Sequence, residues 1–165
     1  MKTICLALLT IFLAVSPLVA QSDLPDGPSL VLPDLNPLDL ATAQLRAGEN
    51  DQDVIVIIGA QWCAPCQTMK NYVMPQVAGR GGLDRLQFAY LDFDQDNEAA
   101  TALMQGTAVP QVIYLKRKEG TWRPLAAIPK MTEAETVMAM IAWAQTSSSA
   151  DSTVETAAIP MLPAK

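Results

Sequence analysis

Cys63 and Cys66 are separated by two residues in Trp62-Cys63-Ala64-Pro65-Cys66. An apolar run, Val54-Ile55-Val56-Ile57-Ile58, comes just before them and reads as a buried strand. The stretch Gln67 to Val77 that follows can be helical. A strand that leads into a Cys-x-x-Cys at the mouth of a helix is, in outline, a thiol–disulfide redox site. The first thiol then lies among the unpaired backbone N–H groups of the helix start, at the positive end of its dipole, where a thiolate is favoured.

Composition narrows the alternatives. The chain has 165 residues, enough for one domain with a proper core. It contains no histidine, which excludes His-based acid–base catalysis, a Cys–His protease site and most zinc chemistry. The net charge is −6, and the largest basic cluster is Lys116-Arg117-Lys118, placed at the end of an apolar run. Nucleic acid and anionic membrane surfaces therefore have no electrostatic footing as partners.

The chain divides by pattern into four stretches. Met1-Lys2, the apolar run Ile4 to Val15 and the small residues of Leu18-Val19-Ala20 have the form of a secretory signal peptide over 1–20. An uncleaved membrane anchor is the rival reading, although the run is short and Ser16-Pro17 breaks it. Discounting Cys5 with this leader leaves one cysteine pair, whose loop is too small to staple a scaffold. Residues 21–37 hold Pro25, Pro28, Pro33 and Pro37 and read as an extended segment. Its leucines either pack on the domain or belong to a tether. A folded domain is expected over 38–145, and the Ser/Ala/Thr/Pro-rich residues 146–165 read as a disordered tail.

Within 38–145 the expected elements alternate. A helix from Asp39 to Ala47 is closed by Gly48, and the strand 54–58 follows. The cysteine helix is kinked or ended at Pro75, and a strand runs from Leu86 to Phe93. A helix from Asp94 to Gln105 is stopped by Gly106. Strands at 112–115 and 122–128 form a hairpin, and Thr132-Glu133-Ala134-Glu135 is a capping box that opens a last helix to Gln145. This order predicts an α/β fold, a central mixed sheet with helices on both faces. Met131, Met138, Met140 and Trp143 are expected in its core. Asp92, Asp94, Asp96 and Glu98 lack the glycine and terminal glutamate of a calcium loop and read as a solvated helix start.

In order and motif together the chain resembles the thioredoxin superfamily. The resemblance covers Leu38 to Gln145 and rests on Trp62 to Cys66 after a core strand. Thr107-Ala108-Val109-Pro110-Gln111 stands where the family carries a cis-proline, and Leu91-Asp92-Phe93-Asp94-Gln95-Asp96 resembles its strand-to-helix passage. It implies a thioredoxin-like fold and disulfide exchange. Cys63 attacks a substrate disulfide and Cys66 resolves the mixed disulfide. Ala64 and Pro65 form the loop between them, Trp62 shields the site and meets a partner, and Pro110 presents the Val109 backbone to an incoming peptide. The chain departs from the family in its proton relay. Ile57 stands where many cytoplasmic thioredoxins bury an aspartate, Tyr90 at the accompanying lysine position, and Gly59 in place of a tryptophan. Pro75 also sits later in the helix than the usual kink proline.

Simpler readings remain beside each of these. The cysteines could form a structural disulfide, or half a metal site that needs carboxylates or a second chain. Trp62 could be a plain surface aromatic, and Pro110 an ordinary trans proline. Ala64-Pro65 adds neither charge nor imidazole, so the expectation is a moderately lowered thiol pKa and a reducing or isomerising role. The function that follows is an exported, periplasmic or otherwise extracytoplasmic thiol–disulfide oxidoreductase. It needs no metal and no cofactor beyond its own disulfide. Its partners are disulfide-bearing proteins and a membrane-borne electron donor. The alternatives are a net disulfide oxidase and a redox-inactive peptide-docking module.

Overall fold

The structure is a computed structural model and describes residues 32–150, with side chains through 147. The leader at 1–20, most of the segment 21–37 and most of the tail 146–165 lie outside the described residues.

The element order is α1 (Leu40–Asn50), β1 (Asp53–Gly59), α2 (Ala64–Thr68), a π-helical turn (Met69–Val73), α3 (Met74–Gly79), β2 (Leu86–Asp92), α4 (Asn97–Leu103), β3 (Gln111–Lys118), β4 (Thr121–Ile128) and α5 (Ala134–Ala150). The four strands lie in the order β2-β1-β3-β4. β1 runs parallel to β2 and antiparallel to β3, and β3 and β4 form the antiparallel hairpin. The fold is α/β, a mixed sheet flanked by helices.

The unbroken apolar run of β1 follows from its central place. Ile55 and Ile57 enter one core with Met69, Met74 and Val77 of the cysteine helix and Val137, Met140 and Ile141 of α5. Val54, Val56 and Ile58 enter a second core on the other face, with Ala43 and Ala47 of α1 and Ala100 of α4. Successive strand residues point to opposite faces, so a strand covered on both faces shows no polar alternation. Leu38 extends the sheet edge. Its N–H donates to Phe88 O and its carbonyl accepts from Tyr90 N–H, both at 3.0 Å. Leu35 packs on the first core, whereas Leu24 and Leu30 lie outside the described residues.

The helices differ from expectation at points with identifiable causes. Gly48 does not end α1. The helix runs on to Asn50 and closes at Asp51, which takes the left-handed conformation at φ 52°. Gly48 instead allows a close approach, since a Cβ there would lie 2.9 Å from Arg117 Nη1. Pro75 does not end the cysteine helix either. It offers no N–H to the carbonyl four residues back, and its ring crowds that carbonyl. The preceding turn widens into a π-turn, in which Met74 N–H bonds to Met69 O, and α3 then continues.

α4 begins at Asn97, not at Asp94, because the Asp92 carboxylate accepts from Asp94 N–H at 2.9 Å and from Gln95 N–H at 3.4 Å. That local turn holds the chain out of helix for three residues. α5 starts at Ala134 and reaches Ala150, five residues past the expected end. Glu135 pairs with Arg80 across the surface. Met140 is core as expected, but Met131 is exposed and precedes the helix, and Trp143 is 36% exposed. Apolar type alone does not place a residue inside, since much of a folded surface is itself apolar.

Candidate functional site

β1 ends at Gly59, and four residues later Cys63 caps the helix. The turn between them is braced on one carbonyl. Ala60 O accepts from Cys63 N–H at 3.2 Å and from the Gln67 side-chain amide at 3.1 Å. Cys63 is in extended conformation with its sulfur facing the helix start, where it accepts from Cys66 N–H at 3.2 Å. That N–H and the helix dipole favour negative charge on this sulfur once the disulfide opens. Pro65 occupies the first turn, where the helix needs no N–H of its own.

Cys63 and Cys66 are joined as a disulfide with their Cα atoms 5.2 Å apart. Cys66 is fully buried, and Cys63 is 5% exposed. Both sulfur-bearing residues pack with Ala60 and with Val109, which reaches them from the loop before β3. The Val109–Pro110 peptide bond is cis. Trp62 is 70% exposed, and its ring is pinned by an indole N–H donated to Asp94 at 2.8 Å. The structure therefore brings Cys63, Cys66 and Val109 into contact, adds Pro110 beside them, and sets Trp62 at the rim with Ala64 and Pro65 exposed between.

The Asp92 and Asp94 carboxylates are occupied differently. Asp92 holds the turn before α4 and Asp94 holds Trp62. Among the described residues there is no group of three or more histidine, cysteine or carboxylate side chains placed to hold a metal ion. Around the buried cysteines, Trp62, Ala64 and Pro65 are exposed. A polar cleft lined by Asp53, Arg85, Tyr114 and Lys116 lies at the start of β1, away from the cysteines.

Three contributors have roles that the sequence does not assign. Gln111 is a fully buried amide. It accepts from Gln105 N–H at 2.8 Å and donates to Gln105 O at 3.0 Å and Ala108 O at 2.8 Å, which fixes the loop that carries Val109. A polar residue opening an otherwise apolar strand was the available signal. Gly59 and Tyr90 meet behind the disulfide. A Cβ on Gly59 would lie 2.8 Å from both Cys66 Cβ and Tyr90 Oη, and 3.2 Å from Cys66 Sγ. Burial, then the charges of Asp92 and Asp94, push the Tyr90 phenol up from its ordinary value. Gln67 is near enough to oppose this, but its amide is turned to Ala60 O, and Tyr90 Oη is buried with no hydrogen-bond partner.

No family model matches this chain, and no curated protein sequence does. Solved structures do. A thioredoxin from Thermus thermophilus superposes with a TM-score of 0.60 at 20% identity, over 70% of this chain and 91% of that one. Trichomonas vaginalis thioredoxin gives 0.51 at 20% identity, over 66% and 93%. A chain from the crystal structure of ferredoxin:thioredoxin reductase in complex with thioredoxin f2 gives 0.51 at 19% identity, over 67% and 94%. The chain has the thioredoxin fold.

Proposed function

We propose that this protein is an exported thiol–disulfide oxidoreductase that reduces or exchanges disulfides of extracytoplasmic proteins. The observation that carries the reading is the Cys63–Cys66 disulfide at a helix start, packed against Val109 and bordered by the exposed Trp62, Ala64 and Pro65. A surface of this kind suits a polypeptide substrate, where a small molecule needs a concave pocket. The reaction is exchange. The Cys63 thiolate attacks a substrate disulfide, one substrate sulfur leaves as a thiolate, and a mixed disulfide remains. Cys66 then attacks Cys63 Sγ, releases the second substrate thiol and closes the Cys63–Cys66 bond. The redox group is this cysteine pair, with no metal or further cofactor in the cycle.

Trp62 offers the rim an aromatic contact for the bound chain, and the Val109 backbone offers it main-chain hydrogen bonds. Export is supported by the leader pattern of residues 1–20. In an oxidising compartment the dithiol must be recharged, which calls for a membrane-borne electron donor. A reductase complex among the similar structures supports a protein redox partner of this general kind.

Two measurements test the reading together. Cys66→Ser blocks resolution, so mixed disulfides should accumulate on Cys63 and be recovered as covalent adducts that thiol reductant releases. No adduct from cells or from a reducible model protein would leave the docking-module reading. The Cys63–Cys66 reduction potential sets direction. A value of about −270 mV fits an electron donor, whereas a value approaching about −120 mV would make the protein an oxidase.

A further inference from the structure

The place behind Cys66 that the resemblance leaves without a carboxylate at Ile57 is taken by a phenol. Tyr90 pairs with Ile57 across β1 and β2. Its hydroxyl reaches past Ile57 to the space above Gly59, where it and Cys66 Sγ lie 2.8 and 3.2 Å from one common point. The two atoms are thus at most about 6 Å apart. The space exists because residue 59 has no side chain. Tyr90 Oη is buried and donates to nothing while the disulfide is closed. A buried donor left without a partner is unfavourable in that state and gains most when an acceptor appears beside it.

We propose that Tyr90 is the hydrogen-bond donor that receives the Cys66 thiolate when the disulfide opens, in place of a carboxylate relay. The assignment rests on the oxidoreductase reading above for its role in turnover, but the contact itself does not. In the step concerned, a reductant thiolate attacks Cys63 Sγ and forms a new S–S bond. The Cys63–Cys66 bond breaks, and its electron pair stays on Cys66 Sγ. The Tyr90 O–H then points a hydrogen bond at the sulfur that has just gained charge. The phenol keeps its proton, and the thiolate is later protonated from solvent. A buried donor beside that sulfur, with no other partner to give up, has only a small adjustment to make as charge develops there.

The surroundings keep the phenol in its donor form. Burial first, then the negative charges of Asp92 at the end of β2 and Asp94 in the turn after it, hold its proton on. Lys70 from the cysteine helix lies over the ring face, with Nζ 4.9 Å from the centroid. From β1, Ile57 and Gly59 bring no charge, and Val109 meets the cysteines from the loop before β3. Tyr90→Phe therefore removes the hydroxyl alone. The ring still packs against the first core and still presents its face to Lys70.

The test compares the full chain with its Tyr90→Phe variant in three readouts. Reduction of the disulfide by dithiothreitol should slow about tenfold, the scale of one hydrogen bond to a charged group. In a Cys63→Ser background, the Cys66 thiol followed by its 13Cβ shift should titrate at higher pH in Tyr90→Phe. The oxidised variant should melt no lower than the parent while the reduced variant loses stability relative to it, so the reduction potential falls. A packing role would move both redox states alike and leave the titration in place, and that result would overturn the proposal. Failure of the oxidoreductase reading shows separately, as a parent protein that captures no substrate while its Cys66 titration still responds to Tyr90→Phe.

Discussion

Gly59 shows how much of the site depends on one missing side chain. A Cβ there would stand 2.8 Å from Cys66 Cβ, which belongs to the start of the cysteine helix and cannot swing aside. It would stand equally close to Tyr90 Oη. Gly59→Ala should therefore push the helix start off β1 and destabilise the protein by about 1–3 kcal/mol, the usual scale of overpacking. Chemical-denaturation midpoints of the two oxidised proteins measure it, and an unchanged midpoint would mean that the turn at Ala60 absorbs the methyl group. The sequence displayed the cysteine pair directly, because spacing within one turn is local. It also displayed glycine in an unusual place, but gave no reason. That reason is a contact among residues 59, 66 and 90, which only the pairing of β1 with β2 brings together.

At the scale of elements, strands were more legible than helix ends. The apolar runs at 54–58 and 112–115 are long and uniform, and each lies inside an observed strand. Helix limits depended on side chains acting on the backbone a few residues away. Asp92 delays α4, Asp51 rather than Gly48 closes α1, and Pro75 reshapes its helix without ending it. Gln111 belongs to the same class, and its function can be tested apart from the chemistry. Its amide satisfies Gln105 N–H, Gln105 O and Ala108 O. Gln111→Ala leaves these backbone groups to find other partners, at a cost of about 1–3 kcal/mol. The loop that carries Val109 should then loosen while Cys63 and its helix stay in place. The KM for a protein disulfide substrate should rise several-fold, and reduction of the site by dithiothreitol should keep its rate. Steady-state reduction of a model disulfide protein beside the dithiothreitol rate separates the two. Equal loss in both would place Gln111 in the chemistry instead of the loop.

Across the whole molecule, two tyrosines with opposite circumstances stand at opposite ends of the central strands. Tyr90 at the cysteine end has no partner for its hydroxyl. Tyr114 of β3 donates to Asp53, at the start of β1, at 2.6 Å, and Asp53 also meets Lys116 at 3.3 Å. Burial first, then the hydrogen bond and negative charge of Asp53, hold the Tyr114 phenol far above its ordinary value of 10.0. The unfolded chain releases that proton near the ordinary value, while the folded chain retains it. Its contribution to stability is therefore complete below pH 10 and is lost as pH rises from there towards the folded-state pKa. Thermal unfolding between pH 8 and 12 should show a plateau and then a decline in Tm. Tyr114→Phe should lower stability at pH 8 by about 2 kcal/mol, because Asp53 loses a charge-assisted bond while keeping Lys116. It should also flatten the alkaline decline. It should not abolish it, since the Tyr90 phenol is raised in the same direction and adds a loss of the same sign. A decline as steep in Tyr114→Phe as in the parent would assign alkaline unfolding to other groups. Because Tyr114 ties β1 to β3 far from the cysteines, the variant should exchange disulfides at the parental rate at pH 7.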